Sequence, residues 1–296
     1  MQISKHRFLY MGISLVIIMV GIILIATMGL NLGLDFSGGS IITVDMGGEF
    51  EVEAVEQVLK DNEVSDAPVQ KSSASGEVDN FAIIRIKPLG DDAQEMAMRD
   101  VLLAGIQETY PDATLESVDM VGTSAIMHLI KSALYSLGIA GALILIYITI
   151  RFELFSGLSA VLCLVHDVAI MLAFVAITRL EVNSNLIAGV LTIVGYSINN
   201  TIVVFDRIRE NQVTYPRQTM DVLVDRSIKD TFTRSMYTSL TTLITIGALY
   251  ILGADSIKNF ALPIIVGLVA GTYSSMVIAG PLWSLLLGKR KKINRA

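Results

Sequence analysis

The sequence predicts an all-α membrane bundle of six spanning helices with one α+β domain outside the bilayer. Three observations predict it. Apolar residues make up 53% of the chain and mean hydropathy is +0.62, with only 17% charged residues, a combination that soluble domains rarely show. The apolar residues are blocked, and at least five uninterrupted stretches approach or exceed the roughly 20 residues that cross a bilayer. Between the first two spans lies a charged segment, Asp35 to Asp119, that holds 19 of the 28 acidic residues.

In chain order, residues 1–30 comprise a short leading segment and a first span at 8–30. No small-residue cleavage site follows this span, so it reads as an anchor and not a signal peptide. Residues 31–124 form the external domain, and 125–205 carry spans two to four at 130–150, 154–178 and 186–205. Residues 206–235 read as a loop, 236–288 hold spans five and six at 236–253 and 259–287, and 289–296 are a basic tail. The sixth span carries Pro263 and Pro281, which predict a kink. It also carries Gly267 and Gly271 at the spacing that lets helices approach closely.

Within the external domain, Ile41–Met46 reads as a strand closed by Gly47 and Gly48. Val52, Val55, Val58 and Leu59 share one helical face. A weaker strand covers 67–72, a turn-rich run covers Ser73–Asn80, and a strong strand covers Phe81–Lys87, stopped by Pro88 and Gly90. Asp92 and Glu95 pair as a helix cap. Met98, Leu102, Ile106 and Thr109 then line a second helix as far as Pro111, and a last strand covers 113–121. The order β-α-β-β-α-β is the ferredoxin-like pattern, which by itself decides no function.

Charge sets the orientation. Fourteen of the 22 basic residues flank the bundle on one side: before span one, between spans two and three, between spans four and five, and after span six. The short opposite loops hold only Arg179 and Lys258. Both termini are therefore expected in the cytoplasm, in a bacterial inner membrane. Several function classes fall away. Net charge is −6 with no aromatic-interleaved basic patch, so no nucleic-acid footprint exists. One cysteine, Cys163, permits no intrachain disulfide. There is no nucleotide-binding glycine loop, no metal-ligand cluster and no nucleophile–base pair, so neither a cofactor nor catalysis is expected.

Polar groups inside the spans stand out, because a mid-span Asp or Arg costs about 2.5–3.5 kcal/mol on insertion scales. Asp167, beside His166, sits near the middle of span three, either as a proton-path or helix-coupling carboxylate or as a structural hydrogen-bond partner. Span four is the most polar, with Tyr196, Ser197, Asn199, Asn200 and Thr201. Arg234 and Thr238 share a face of span five.

Three runs carry a family likeness: GLDFSGG from Gly33 to Gly39, GYSINNTIVVFDRIREN from Gly195 to Asn211, and RSMYTSLTTL from Arg234 to Leu243. With His166-Asp167 and the six-span layout, the chain resembles, over nearly its whole length, the SecF branch of the SecD/SecF protein-export family. That family lies within the resistance-nodulation-division superfamily. The resemblance implies a partner, SecD, whose six spans complete a pseudo-symmetric twelve-helix unit. It also implies a role in helping the SecYEG channel and SecA to move preproteins, driven by a proton gradient. A half of an efflux-type or lipid-carrying transporter is the alternative; such exporters usually carry both halves in one chain.

In relatives the position of Asn200 is usually an aspartate implicated in proton passage, with an arginine at Arg234 nearby. Asparagine cannot titrate. Coupling then comes from SecD or Asp167, or the amide and hydroxyl oxygens bind Na⁺, or the position carries an inactivating replacement. Arg234 reads equally as an edge anchor that snorkels to the headgroups. Gly33, Asp35, Gly38 and Gly39 read as a structural turn in which Asp35 caps exposed amides. Gly195 opens the second motif, and Asp206, Arg207, Arg209 and Glu210 read as its ion-paired helix end.

Overall fold

A computed structural model describes residues 3–62, 64, 67, 69–72, 80–86, 92–121, 123–253 and 255–293. It divides into two compact units, Leu32–Ser132 and a second made of Met1–Asn31 with Ala133–Ala296.

The helical unit begins with a single 3₁₀ turn, Ser4–His6, and α1, Arg7–Met28. The chain next enters the smaller unit through a one-turn helix, α2, Leu34–Ser37. Then follow β1 (Gly39–Asp45), α3 (Val52–Asp61), β2 (Val69–Ser72), β3 (Phe81–Ile86), α4 (Asp92–Thr109) and β4 (Thr114–Val121). The strands form one antiparallel sheet in the order β2-β3-β1-β4. Ile42 stands opposite Ile84 on one side and Val118 on the other. Alternation decides which face is buried: Ile42, Val44, Ala82, Ile84 and Ile86 point inward, where Val55, Leu59, Leu102 and Ile106 meet them. Burying each such large apolar side chain is worth about 1.5–3 kcal/mol. Thr109, expected on the inner side of α4, is exposed at the last position of the helix. The turn-rich run lies outside the described residues except for Asn80, as do Pro88, Gly90 and the side chains of the Asp92–Glu95 pair.

The glycine run does make a turn. Gly38 and Gly39 have φ of 74° and 105°, a region that glycine enters without a Cβ clash. The Gly33 carbonyl accepts from the Phe36 and Ser37 N–H groups and from the Ser37 hydroxyl. Asp35 lies in the first turn of α2.

The remaining helices are α5 (Thr123–Arg151), α6 (Leu154–Thr178), α7 (Ser184–Thr214), α8 (Met220–Leu252), α9 (Asp255–Ser274) and α10 (Gly280–Ile293). Six segments are long and apolar enough to cross a membrane, α9 and α10 forming the last one together. Their break is a π-helical turn at Ser275–Ala279, between Pro263 and Pro281. Pro281 has no N–H to give the carbonyl four residues back, and the ladder has already widened before it.

Residues 206–235, expected as a loop, are helical apart from Tyr215–Thr219. Their charges end the apolar stretches without ending the helices. Leu223, Val224 and Ile228 of α8 bury on one face, and Ile208 of α7 joins the same core. At this end Phe205 packs against Trp283 at 5.0 Å and edge-on to Phe152 at 6.3 Å. The leading turn is clamped to α8: Ser4 N–H donates to Asp225 (2.8 Å), and Arg7 pairs with Asp221 at 3.1 Å. The Ser284 hydroxyl on α10 donates to the same Asp221 carboxylate. At the opposite end Arg179, held at φ 55°, donates to the Gly29 carbonyl at 2.6 Å. Asn31 closes the loop by donating to the Arg179 carbonyl (2.9 Å) and accepting from Val182 N–H (2.8 Å).

Without water to drive apolar association, membrane helices pack where backbones come close. A methyl placed on Gly21 of α1 would lie 2.3 Å from Ala173 Cβ on α6. The same construction puts Gly267 and Gly271 of α9 within 2.9 Å of Ile193 and Ser197 on α7. The small-residue pair of the sixth span thus faces the fourth.

Candidate functional site

The centre of the helical unit is a seam of polar side chains where α6, α7, α8 and α9 meet. Asp167 lies on it, fully buried, and is the one acidic or basic side chain among the described residues to be so enclosed. Its Oδ2 accepts from Ser197 Oγ of α7 at 2.5 Å and from Ser274 Oγ of α9 at 2.9 Å. Its Oδ1 stands 2.8 Å from His166 Nδ1. One carboxylate therefore joins three helices, and Gly271 leaves room for it: a methyl there would meet Ser197 Oγ at 3.1 Å and Asp167 Oδ2 at 3.5 Å. The imidazole lies beside the Tyr273 ring, with centroids 6.4 Å apart. Tyr273 in turn donates its hydroxyl to the Tyr10 carbonyl of α1 at 3.0 Å. His166 Nε2 is buried and has no hydrogen-bond partner.

One turn along α7, Asn200 is buried with its amide 3.5 Å from Ser239 Oγ of α8. Ser239 shares a 2.7 Å hydrogen bond with Thr272 of α9, and Thr272 bonds back to the Leu268 carbonyl. Ser235, one turn before Ser239, is buried with its hydroxyl unpartnered, and so is the Tyr196 hydroxyl. This second patch is made of amide and hydroxyl groups.

The other expected residues are placed apart from these two. Asn199 is exposed, because adjacent helical positions point about 100° apart. Gly195 is exposed on the same side. Thr238 spends its hydroxyl on the Arg234 carbonyl of its own helix, at 2.9 Å. Arg234 itself is exposed and lines a cleft of about 450 Å³ with Val203, Asp206, Arg207, Glu210, Asp230 and Thr231. That places it beside the charged side chains of α7 and α8. There Arg207 pairs with Asp230 at 2.7 Å and Glu210 at 2.6 Å, and Asp206 with Arg151 at 3.7 Å. Arg209 donates to the Arg151 carbonyl at 3.2 Å. The ion-paired charges of this motif lie within α7, which continues to Thr214.

Spacing along the chain does not single out Ser274, Thr272 or Ser239 as members of the seam. Their one signal is that they are hydroxyl residues in otherwise apolar spans, with Thr272 and Ser274 close behind Gly271.

Six helices long and apolar enough to span, a sheet domain after the first, and a polar seam through the third, fourth, fifth and sixth define a polytopic membrane protein. Comparison with known proteins specifies it further. Residues 101–289 match the family described as protein export membrane protein SecD/SecF, C-terminal, and residues 23–46 match the SecD/SecF GG motif. Protein translocase subunit SecF of Sebaldella termitidis is 39% identical over 97% of this chain and 92% of its own length. Protein translocase subunit SecDF of Bacillus subtilis is 36% identical over 99% of this chain, which spans 39% of that protein. The crystal structure of SecDF from Thermus thermophilus, described as a translocon-associated membrane protein, superposes with a TM-score of 0.81 at 31% identity. It covers 98% of this chain, and this chain covers 39% of it. The chain belongs to the SecD/SecF protein-export family.

Proposed function

We propose that this chain is the SecF-type half of a twelve-helix unit that, with SecD, assists SecYEG and SecA in moving preproteins across the bacterial inner membrane. One observation carries the reading. On α7 the positions Asn185, Ala188, Thr192, Gly195 and Asn199 are all exposed and recur at helical spacing along one face. Such a small, polar stripe is costly against lipid and suits a second helix bundle. SecDF of Bacillus subtilis, in which the matching region is 39% of one polypeptide, supports SecD as the occupant. The match to translocase subunits speaks against an efflux or lipid-carrying half.

The basic side chains that gather at the end bearing both termini support a cytoplasmic location for those termini. The sheet unit then lies outside. Its strand order and two helices suit the ferredoxin-like arrangement, which provides an outward domain for a passing preprotein.

For an ion gradient to do work, a group must carry charge; 100 mV supplies about 2.3 kcal/mol per elementary charge. Asn200 cannot do so by titration, and Asp167 is the buried carboxylate among the described residues. Coupling by protons is therefore assigned to Asp167, with SecD as a further source of carboxylates. The test is extraction in mild detergent followed by export in vesicles. The tagged chain is expected to recover SecD and to add gradient-dependent preprotein export to vesicles containing SecYEG and SecA. Recovery as a solitary, fully active chain contradicts the assignment. In the same vesicles, Asn200→Asp should add a second titrating group and raise gradient-dependent export. A response that follows Na⁺ and disappears in Asn200→Ala would make the amide patch the ion site instead.

A further inference from the structure

We infer that His166 and Asp167 work as one proton-loading site, with His166 Nε2 as the atom at which protons enter and leave. The inference rests on the proton-coupled reading above and goes beyond it by assigning the route. Both oxygens of Asp167 are already engaged. Oδ2 is taken by two serine hydroxyls, and Oδ1 faces the imidazole. The imidazole has a second nitrogen, and that one is buried with no partner. A buried polar atom left unsatisfied in a native site needs an explanation. An atom that must exchange protons when the site opens supplies one.

The proton balance closes. In the unloaded state Asp167 is a carboxylate and accepts from Ser197, Ser274 and the Nδ1–H of a neutral imidazole, so the pair carries one negative charge. A hydronium ion delivers a proton to Nε2 and leaves as water. The Nδ1 proton passes to Oδ1 within the existing 2.8 Å hydrogen bond. The loaded pair is a neutral carboxylic acid and the other neutral imidazole tautomer. Loading thus turns a charged pair into an uncharged one, the form a low-dielectric interior tolerates better. Release reverses each transfer. The two ends of the Oδ2 clamp lie on α7 and α9, and Ser274 is the last residue before the π-helical turn. Neutralising the carboxylate weakens both serine bonds, since hydrogen bonds to charged acceptors are the stronger kind. The helix ladder is already irregular at that point, so the clamp connects proton state to helix position.

The groups around the pair are compatible with this assignment. They are Cys163 on α6, Ser197 on α7, Tyr273 and Ser274 on α9, and the Tyr10 carbonyl bonded to Tyr273 from α1. None of these side chains carries a formal positive charge that would fix the carboxylate in its ionised form.

The test uses the full chain with SecD in proteoliposomes and dicyclohexylcarbodiimide, a membrane-permeant reagent that adds to protonated carboxyl groups. Mass spectrometry reads the adduct on the peptide containing Asp167. The adduct is expected to increase when an inward-acid gradient is imposed and to be lost in Asp167→Asn. In His166→Gln the carboxyl remains but its port is gone, so the adduct should no longer follow the gradient. Absence of any adduct in the unmodified complex, or a His166→Gln response equal to that of the unmodified chain, overturns the inference. Full gradient-dependent export by Asp167→Asn overturns it as well. Labelling requires no export activity. An adduct that follows the gradient in a complex that moves no preprotein therefore supports the site while defeating the export reading.

Discussion

The second and sixth spans are close in hydropathy, 2.1 and 1.8, yet they share little else. Two thirds of the most apolar stretch of the sixth is buried inside the helical unit, against 6% of that of the second. Both satisfy the requirement for crossing a membrane, because that depends on apolar length alone. Which of them becomes the centre depends on small residues and on hydroxyls. The sixth span brings Gly267 and Gly271 against α7, and Thr272 and Ser274 into the polar seam. The second carries Gly138 and Gly141 with nothing within 4 Å of an added methyl, and Leu134, Tyr135 and Leu143 are exposed along it. Hydropathy reports that a helix is in the membrane, and backbone approach reports what it packs against.

Substitutions at a close backbone approach, at an exposed ion pair and on bare helix surface sharpen that contrast. The largest effect is expected for Gly21→Val, on the close α1–α6 approach. Its Cβ would lie 2.6 Å from the Ala173 Cα as well as 2.3 Å from the Cβ, so the backbones must separate. Overpacking of this kind costs about 1–3 kcal/mol, read as a lowered midpoint of thermal unfolding in detergent. Next comes Asp230→Asn, which removes one partner of Arg207 in a pair left about a third exposed. It should cost about 0.2–1 kcal/mol, and the cost should shrink as salt is raised. The smallest is Gly138→Val on α5, expected within about 0.5 kcal/mol of zero. If Gly138→Val destabilised the isolated chain as much as Gly21→Val, the contrast between close backbone approach and bare helix surface would fail.

Much of the fold was legible in the sequence because its signals are local. The four strands and two long helices of the sheet unit follow from alternation and helical spacing, and all fall within a few residues of their expected positions. The six spans follow from apolar length. The helical stretches from Asn211 to Thr214 and from Met220 to Ser235 were not legible as helix, because charge ends an apolar window while leaving an amphipathic helix intact. The functional seam was half legible. Asp167 and Asn200 stand out as polar residues among apolar neighbours. Their partners Ser197, Ser274 and Ser239 depend on which helices approach, which no spacing within one helix reveals. Asn199 shows the limit of reading residues in a run: it sits beside Asn200 in sequence and faces the opposite surroundings.

That outward face also provides the most direct test of the account, whose central claim is that the chain is one half of a larger helical unit. A cysteine placed at Asn199 in a Cys163→Ala background can be titrated with a small maleimide in detergent. Alone, the chain should react at Asn199→Cys as readily as at a control cysteine on the exposed position Ile150. Co-purified with SecD, it should be protected at Asn199→Cys while the control still reacts. Equal reactivity at Asn199→Cys with and without SecD would contradict the claim that the polar face of α7 is the surface the partner covers.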